Sequence, residues 1–151
     1  MTHHPVHVSH SYTQHLDAPP HVVFPLLCPV RERDWVRGWD PAWVVSHSGL
    51  AEEDCVFATD DDHGRSTWII TDHDRVDYKI RMYKVTPELV VTRLDIALFP
   101  LRDNATTADV RYSFTALSPE GEAFVATRTS DWYLRFMEGW ERALNAYLRS
   151  A

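Results

Sequence analysis

Cysteine is scarce in this sequence, and long apolar runs are absent. Its 151 residues include two cysteines, Cys28 and Cys55, which are too few for a disulfide framework. No stretch of about 18 apolar residues occurs, so we expect no transmembrane helix and no membrane insertion. The N-terminal segment MTHHPVHVSH lacks the cationic and apolar regions of a secretory signal. We therefore expect a cytoplasmic protein with free thiols.

The sequence also lacks an excess of positive charge. Acidic residues number 22 and basic residues 15, which gives a formal net charge of −7 at pH 7. Proteins that bind nucleic acid rely on clustered Lys and Arg, and anionic membrane surfaces attract similar clusters. The composition therefore disfavours nucleic acid and anionic membranes as partners.

Aromatic residues, in contrast, are abundant. They make up 12% of the chain and include six Trp. The length predicts a single domain over residues 1–151, and a domain of this size buries enough surface to fold without a disulfide or a metal. Aromatic side chains can fill a core or line a ligand pocket. The sequence leaves open whether these residues plug such a pocket or line it.

Apolar residues alternate with polar ones along much of the chain, and this period of two predicts β-strands. In residues 75–85, for example, Val76, Tyr78, Ile80 and Met82 should share one apolar face. Short connections favour antiparallel neighbours, and a sheet with one polar face is covered on one side only. Seven strands are predicted, over residues 6–16, 41–49, 53–60, 65–74, 75–85, 88–99 and 105–117.

Helical patterns occur in two places. After the first strand, prolines predict a short helix over Pro20–Cys28, kinked by Pro25, and a second short helix is predicted over residues 31–36. Near the C-terminus, a period of 3.6 predicts one long amphipathic helix over residues 119–148, with Ser118 as its N-cap. Its apolar face carries Val125, Thr129, Trp132, Phe136, Trp140, Ala143 and Tyr147.

This order of elements predicts an α+β fold. A seven-stranded antiparallel sheet with one apolar face needs a cover, and the long C-terminal helix is the largest one available. A curved sheet wrapped around that helix leaves a gap between the two, with the short helices at one end. We expect this gap to be a ligand cavity.

The element order and the segment LDAPPHVVFPLLCPV (residues 16–30) resemble the START / Bet v 1-like superfamily, the SRPBCC proteins with the helix-grip fold. The turn Asp17-Ala18-Pro19-Pro20 followed by Val23-Phe24 is similar to that superfamily's usual start of the first helix. The segments RERDWVRGW, VTRLDIAL and YSFTALSPEGEAFV resemble an uncharacterised bacterial subset. The resemblance implies a deep apolar cavity. It implies no catalytic residue, because the superfamily shares no invariant catalytic motif.

Candidate ligand-binding residues lie on the faces predicted to point inward. They comprise polar groups on the strands, aromatic residues on the sheet and the long helix, and tryptophans in and after the second short helix that would close one end. The polar candidates are His10, Tyr12, Gln14 and Thr92; the aromatic ones are Trp68, Tyr78, Tyr112, Phe114, Trp132, Phe136 and Trp140; those at the end are Trp35 and Trp39, together with Trp43. In the alternative interpretation, the polar row satisfies core groups and the aromatics form ordinary core.

No pattern predicts a metal or a cofactor. The nine histidines are scattered; His7 and His15 share a strand face but lie roughly 26 Å apart in an extended strand. His3 and His4 fall in the N-terminal segment. No GxGxxG, Walker A or HExxH motif is present. Asp72 shares a strand face with Trp68 and is a candidate inward-facing acid.

Three functions remain open. The first is binding or transport of a small hydrophobic molecule, such as a lipid, a polyketide or an aromatic metabolite. The second is an enzyme of the polyketide aromatase/cyclase type, in which positioned Tyr, His or Asp groups assist proton transfer. The third is a protein-interaction module like the co-chaperone relatives of this fold, with exposed Trp35 and Trp39 as hot spots. A homodimer is an open alternative to a monomer.

Overall fold

Seven antiparallel strands form one sheet in the computed structural model, which describes residues 6–150. His3 and His4 lie outside the described residues. The spatial order is β1-β7-β6-β5-β4-β3-β2, and every neighbouring pair is antiparallel. The strands are β1 (His7–Leu16), β2 (Trp43–Val45), β3 (Val56–Asp61), β4 (Gly64–Asp74), β5 (Lys79–Thr86), β6 (Val90–Arg102) and β7 (Ala105–Ala116). The predicted seven-stranded sheet is confirmed.

The fifth strand begins later than its alternation predicted. The carboxylate of Asp74 accepts hydrogen bonds from the backbone N–H groups of Val76 and Asp77, at 2.9 and 3.0 Å, which folds residues 74–77 into a turn. Tyr78 then adopts a φ of 57°, so regular strand begins only at Lys79. Val76 is 84% exposed, and its predicted inward position is wrong.

The short helices follow β1 as predicted. Helix α1 covers Pro20–Val23, a 3₁₀ turn covers Phe24–Leu26, and a second 3₁₀ turn covers Arg31–Asp34. The regular α-helical part ends before Pro25, because proline cannot donate the backbone hydrogen bond that would continue it. No helix within residues 6–150 is both long and apolar enough to cross a membrane.

The predicted long C-terminal helix is two helices, α2 (Pro119–Ala126) and α3 (Ser130–Ser150). The hydroxyl of Thr127 donates to the carbonyl of Phe124 at 2.6 Å. The hydroxyl of Thr129 accepts the backbone N–H of Trp132 at 3.1 Å and so caps α3. Threonine side chains compete in this way with the helical hydrogen bonds of the backbone. The prediction of one continuous helix is therefore wrong, whereas that of Ser118 as N-cap of α2 is confirmed.

The sealed core occupies one end of the space between the sheet and α3. Tyr133, Met137 and Leu144 are the large buried side chains of α3, and they belong to one cluster with Ile96 and Val110 of the sheet. The hydroxyl of Tyr133 donates to the carbonyl of Val110 at 2.8 Å. This core anchors α3 across the sheet, and the space toward the β5–β6 turn lies beyond it.

Candidate ligand-binding cavity

A cavity of about 600 Å³ lies between the sheet and α3, toward the β5–β6 turn. Two rows of inward-facing side chains form its sheet wall, because strand register places residues of β4 to β7 side by side. Most of these side chains are apolar or aromatic. The first row is Trp68, Lys84, Thr92 and Phe114, and the second is Met82, Leu94 and Tyr112.

The opposite wall is one face of α3. Phe136, Gly139, Trp140 and Ala143 line the cavity, and their spacing of three and four residues places them on one side of a helix. Trp132 lies one turn earlier, and its ring stacks on that of Phe136 with centroids 5.1 Å apart. This aromatic stripe borders open space, whereas the adjacent face of α3, with Tyr133 and Met137, fills the core.

Two tryptophans of the segment after α1 close one end of the cavity. Trp35 stacks on Trp140, with ring centroids 5.8 Å apart, and its indole N–H donates to the carbonyl of Leu26 at 3.0 Å. The indole N–H of Trp39 donates to the carbonyl of Pro29 at 2.8 Å. Both residues line the cavity. Because each indole N–H is satisfied by backbone, the rings can present apolar surface to a ligand.

The polar residues predicted on β1 lie outside this cavity. A ring nitrogen of His10 donates to the carbonyl of Arg128 at 2.7 Å, and its ring stacks on Tyr133 at 5.2 Å. The hydroxyl of Tyr12 donates to the carboxylate of Glu141 at 3.0 Å. These groups bind α3 and the segment before it to β1, which matches the alternative interpretation of this polar row.

Three further predicted positions also lie away from the cavity. Gln14 is buried, and its amide donates to the carbonyl of Met137 at 3.3 Å. Tyr78 packs edge-on against Phe24, with centroids 5.6 Å apart, since the turn before β5 redirects it. Trp43 lies on the edge strand β2 and is 39% exposed. The prediction that Trp43 helps close the end is therefore wrong.

Asp72 was predicted to face inward with Trp68, and this prediction is wrong. A β-bulge shifts the register between Ile70 and Asp72. Such a bulge turns the following side chain to the other face of the sheet. The Asp72 side chain is 62% exposed and lies 3.7 Å from the guanidinium of Arg81.

Several polar groups in the cavity wall have no hydrogen-bond partner within residues 6–150. The buried indole N–H of Trp140 is one of them, and the carboxyl of Glu32 and the hydroxyl of Tyr112 are two others. The side chain of Glu32 is half-buried, and burial raises its pKa to about 8. The hydroxyl of Tyr112 belongs to a buried residue; burial raises the pKa of this hydroxyl well above its usual value, and Tyr133 and Glu32 raise it further. Near neutral pH both groups can therefore donate a hydrogen bond to a ligand or to solvent.

Charged side chains line the same cavity. The basic ones are Arg37, Lys84, Arg128 and Arg135, and the acidic ones are Glu32 and Asp61. Sequence reasoning did not select Glu32, Lys84 or Arg128. For Lys84 a signal existed, because it continues the inward-facing series after Ile80 and Met82, and a charge on an apolar face is unusual.

Comparison with known proteins finds similarity in structure only. No protein-family model and no curated protein matches the sequence. Norcoclaurine synthase from Thalictrum flavum, solved with dopamine and hydroxybenzaldehyde, has a TM-score of 0.65 at 10% identity, over 91% of this chain and 86% of that one. A START superfamily protein from Mycobacterium smegmatis has a TM-score of 0.67 at 11% identity, over 94% and 97%. Ara h 8.0201 has a TM-score of 0.65 at 13% identity, over 97% and 100%.

Proposed function

We propose that this chain, which has the START / Bet v 1-like helix-grip fold, binds a small hydrophobic molecule between its sheet and its C-terminal helix. The molecule would be a lipid, a polyketide or an aromatic metabolite. Binding rather than chemistry is the first expectation, because most of the cavity surface is apolar.

The observation that carries this proposal is that the aromatic side chains leave the cavity open. Its volume of about 600 Å³ falls within the range of about 300–1,000 Å³ that is typical of small-molecule sites. Trp68 and Phe114 line this space from the sheet, and Trp132 and Phe136 line it from α3. The rings of Phe114 and Trp132 meet edge to face, with centroids 6.0 Å apart. The flat aromatic rings of this lining favour a planar or chain-like apolar ligand.

A protein of the same fold supports an aromatic ligand. The norcoclaurine synthase structure contains dopamine and hydroxybenzaldehyde, and both of these are small aromatic molecules. At 10% identity its ligands do not carry over to this chain. They do illustrate that a helix-grip fold can accommodate rings of this size.

Gly139 offers a direct test, because it lines the cavity from α3. A Cβ atom added there would meet only the far end of the Arg142 side chain, at 3.9 Å. A phenylalanine at this position should therefore project into the cavity without a backbone clash. Gly139→Ala is the matched control, because it should gain about 1 kcal/mol of stability from helix propensity and leave the cavity open.

The measurement is quenching of tryptophan fluorescence by a panel of neutral and acidic apolar molecules, including 2-naphthamide and decanoic acid. We expect the wild type and Gly139→Ala to bind members of this panel. We expect Gly139→Phe to lose binding by about tenfold or more, since tenfold corresponds to only about 1.4 kcal/mol. Equal binding by Gly139→Phe, with an unchanged fold by circular dichroism, would place the ligand elsewhere and refute the proposal.

A second candidate function, an acid–base enzyme of the aromatase/cyclase type, is favoured by one observation. Glu32 and Tyr112 share the cavity without hydrogen-bond partners among the described residues, and the raised pKa of Glu32, about 8, is suited to proton transfer near neutral pH. Ionised Glu32 could remove a proton from carbon next to a ketone, and its acid form could return one.

Proton exchange tests this second function without knowledge of the natural substrate. The methyl protons of 2-acetonaphthone should exchange with D₂O faster in the presence of the wild-type protein. Glu32→Gln should remove this acceleration and keep binding of the ketone. An exchange rate that is the same with and without protein, at a concentration where the ketone is bound, would count against the enzyme.

The third hypothesis, a protein-interaction module, is not supported by the exposure of its two proposed contact residues. It required Trp35 and Trp39 to be exposed, but Trp35 is 7% exposed and Trp39 is half-buried in the cavity wall. The expectation of exposed hot spots at these positions is wrong, because both indoles are hydrogen-bonded to the backbone before them. We do not propose this function.

A further inference from the structure

The charge of the cavity is opposite to that of the whole chain. The sequence carries a formal net charge of −7. The cavity, however, is lined by four basic side chains and two acidic ones, which gives +2 when all of them are charged. An acidic protein that concentrates cations in its cavity creates a local potential that favours an anionic ligand.

Lys84 and Arg128 are the two cations that aromatic walls hold in place. The Lys84 ammonium lies 5.0 Å from the centroid of the Trp68 ring. The Arg128 guanidinium lies 4.1 Å from the Phe124 centroid and 4.3 Å from that of Trp132. These cation–π contacts keep both charges at the cavity wall.

These two cations have few counter-charges. The ammonium of Lys84 forms an ion pair with the carboxylate of Asp61, at a distance of 3.9 Å. The Lys84 side chain is only 23% exposed. The Arg128 guanidinium has one hydrogen bond within residues 6–150, a long one of 3.3 Å to the hydroxyl of Thr127. Most of the donors of both side chains are therefore available to a ligand.

Burial lowers the pKa of Lys84, and the positive charge of Arg128 lowers it further, while Asp61 opposes both effects. Burial also lowers the pKa of Arg128, again opposed by Asp61. The two cations thus lie close enough to influence each other and depend on the same carboxylate. An anion bound between them would relieve this repulsion and make charge-assisted hydrogen bonds.

We propose that Lys84 and Arg128 bind the carboxylate of an amphipathic ligand, an aromatic carboxylic acid, whose ring system lies in the cavity along the wall formed by Trp68, Phe114 and Trp132. This inference rests on the proposed function, because it specifies the ligand class of the same cavity. The carboxylate end would lie at Lys84 and Arg128. The ring end would extend toward Tyr112 and Glu32, whose protonated groups suit a neutral polar substituent.

Two probes of the same shape test the charge requirement. We would measure by isothermal titration calorimetry the Kd of 2-naphthoate and of 2-naphthamide, which differ in a carboxylate and a neutral amide. Wild-type protein should bind the naphthoate about tenfold more tightly, because a hydrogen bond between two charged groups is stronger than one to a neutral amide.

The variants Lys84→Gln and Arg128→Gln should each weaken naphthoate binding by about tenfold and change naphthamide binding by less than about twofold. Arg111→Gln is the matched control. Arg111 is exposed on β7, so its substitution changes the net charge equally without touching the cavity. Both ligands should bind this control as they bind the wild type. Circular dichroism of each variant checks the fold.

The possible results separate the two proposals. Equal binding of naphthoate and naphthamide, unaffected by either variant, would overturn the carboxylate inference and leave the hydrophobic cavity in place. The same holds if neither probe binds but other neutral molecules of the panel do. If neither the probes nor the panel bind, the proposed function fails as well.

Discussion

Replacing Glu32 by Gln should stabilise the protein at alkaline pH and have little effect at acidic pH. Burial raises the pKa of this carboxyl from 4.5 to about 8, and no hydrogen bond or ion pair within residues 6–150 offsets the desolvation of its charged form. Gln has nearly the same shape but does not ionise. The substitution therefore isolates the cost of charging Glu32 inside the cavity.

The sign follows from proton linkage. Between pH 4.5 and pH 8 the folded state keeps a proton on Glu32 that the unfolded chain has lost, so the free energy of unfolding decreases as pH rises. Each pH unit contributes about 1.36 kcal/mol, which gives an upper limit of about 5 kcal/mol above pH 8. Because Glu32 is half-buried and faces an open cavity, we expect about 1–3 kcal/mol after solvent screening.

The assay is urea unfolding of the wild type and Glu32→Gln at several pH values from 4 to 9. The stability of the two proteins should be similar near pH 4, and the advantage of Glu32→Gln should grow through neutral pH and level off above pH 8. Glu53→Gln is the matched control, since Glu53 is exposed and its substitution removes the same charge. A difference between wild type and Glu32→Gln that is constant with pH would refute the argument.

Two further substitutions test the packing that positions the cavity. Gly121→Ala would place a Cβ atom in a clash with the carbonyl oxygen of Leu89, so we expect the free energy of unfolding in urea to fall by about 3 kcal/mol. Unchanged stability would disprove this close approach. Tyr133→Phe removes the hydrogen bond to the carbonyl of Val110 and should cost about 1 kcal/mol. A melting temperature equal to that of wild type would show that water replaces this bond without loss.

Local patterns were sufficient to predict the sheet and the starts of α1 and α2. Residues 90–98 of β6 alternate strictly between buried and half-buried, because one face of the sheet is covered and the other is not. Ser118 accepts the backbone N–H of Gly121, as expected for an N-cap followed by proline. These features depend on neighbouring residues in the chain and are therefore visible in the sequence.

Features that depend on a shift of one residue in strand register could not be predicted from the sequence. The bulge before Asp72 turns that side chain to the outer face of the sheet. The turn at residues 74–77 likewise interrupts the alternation before β5. An alternating pattern looks the same on either side of such a shift. The predictions for Val76 and Asp72 failed for this reason.

Helix α3, which covers the sheet, shows a second limit of prediction from sequence. Trp132, Phe136 and Trp140 fall on one apolar face of α3, and Tyr133, Met137 and Leu144 fall on the next. Periodicity identifies both as apolar but does not distinguish a face that fills a core from one that borders a cavity. That distinction depends on the distance between the helix and the sheet, which only the structure provides.

Native mass spectrometry tests the central claim most directly. The freshly purified protein and the Gly139→Phe variant would be incubated with a panel of fatty acids, 2-naphthoate, 2-naphthamide and aromatic polyketides. We predict a discrete mass increase of one ligand for the wild type that disappears on denaturation and is reduced in Gly139→Phe. A wild-type mass equal to that of the denatured chain with every member of the panel would contradict the existence of a ligand-binding cavity.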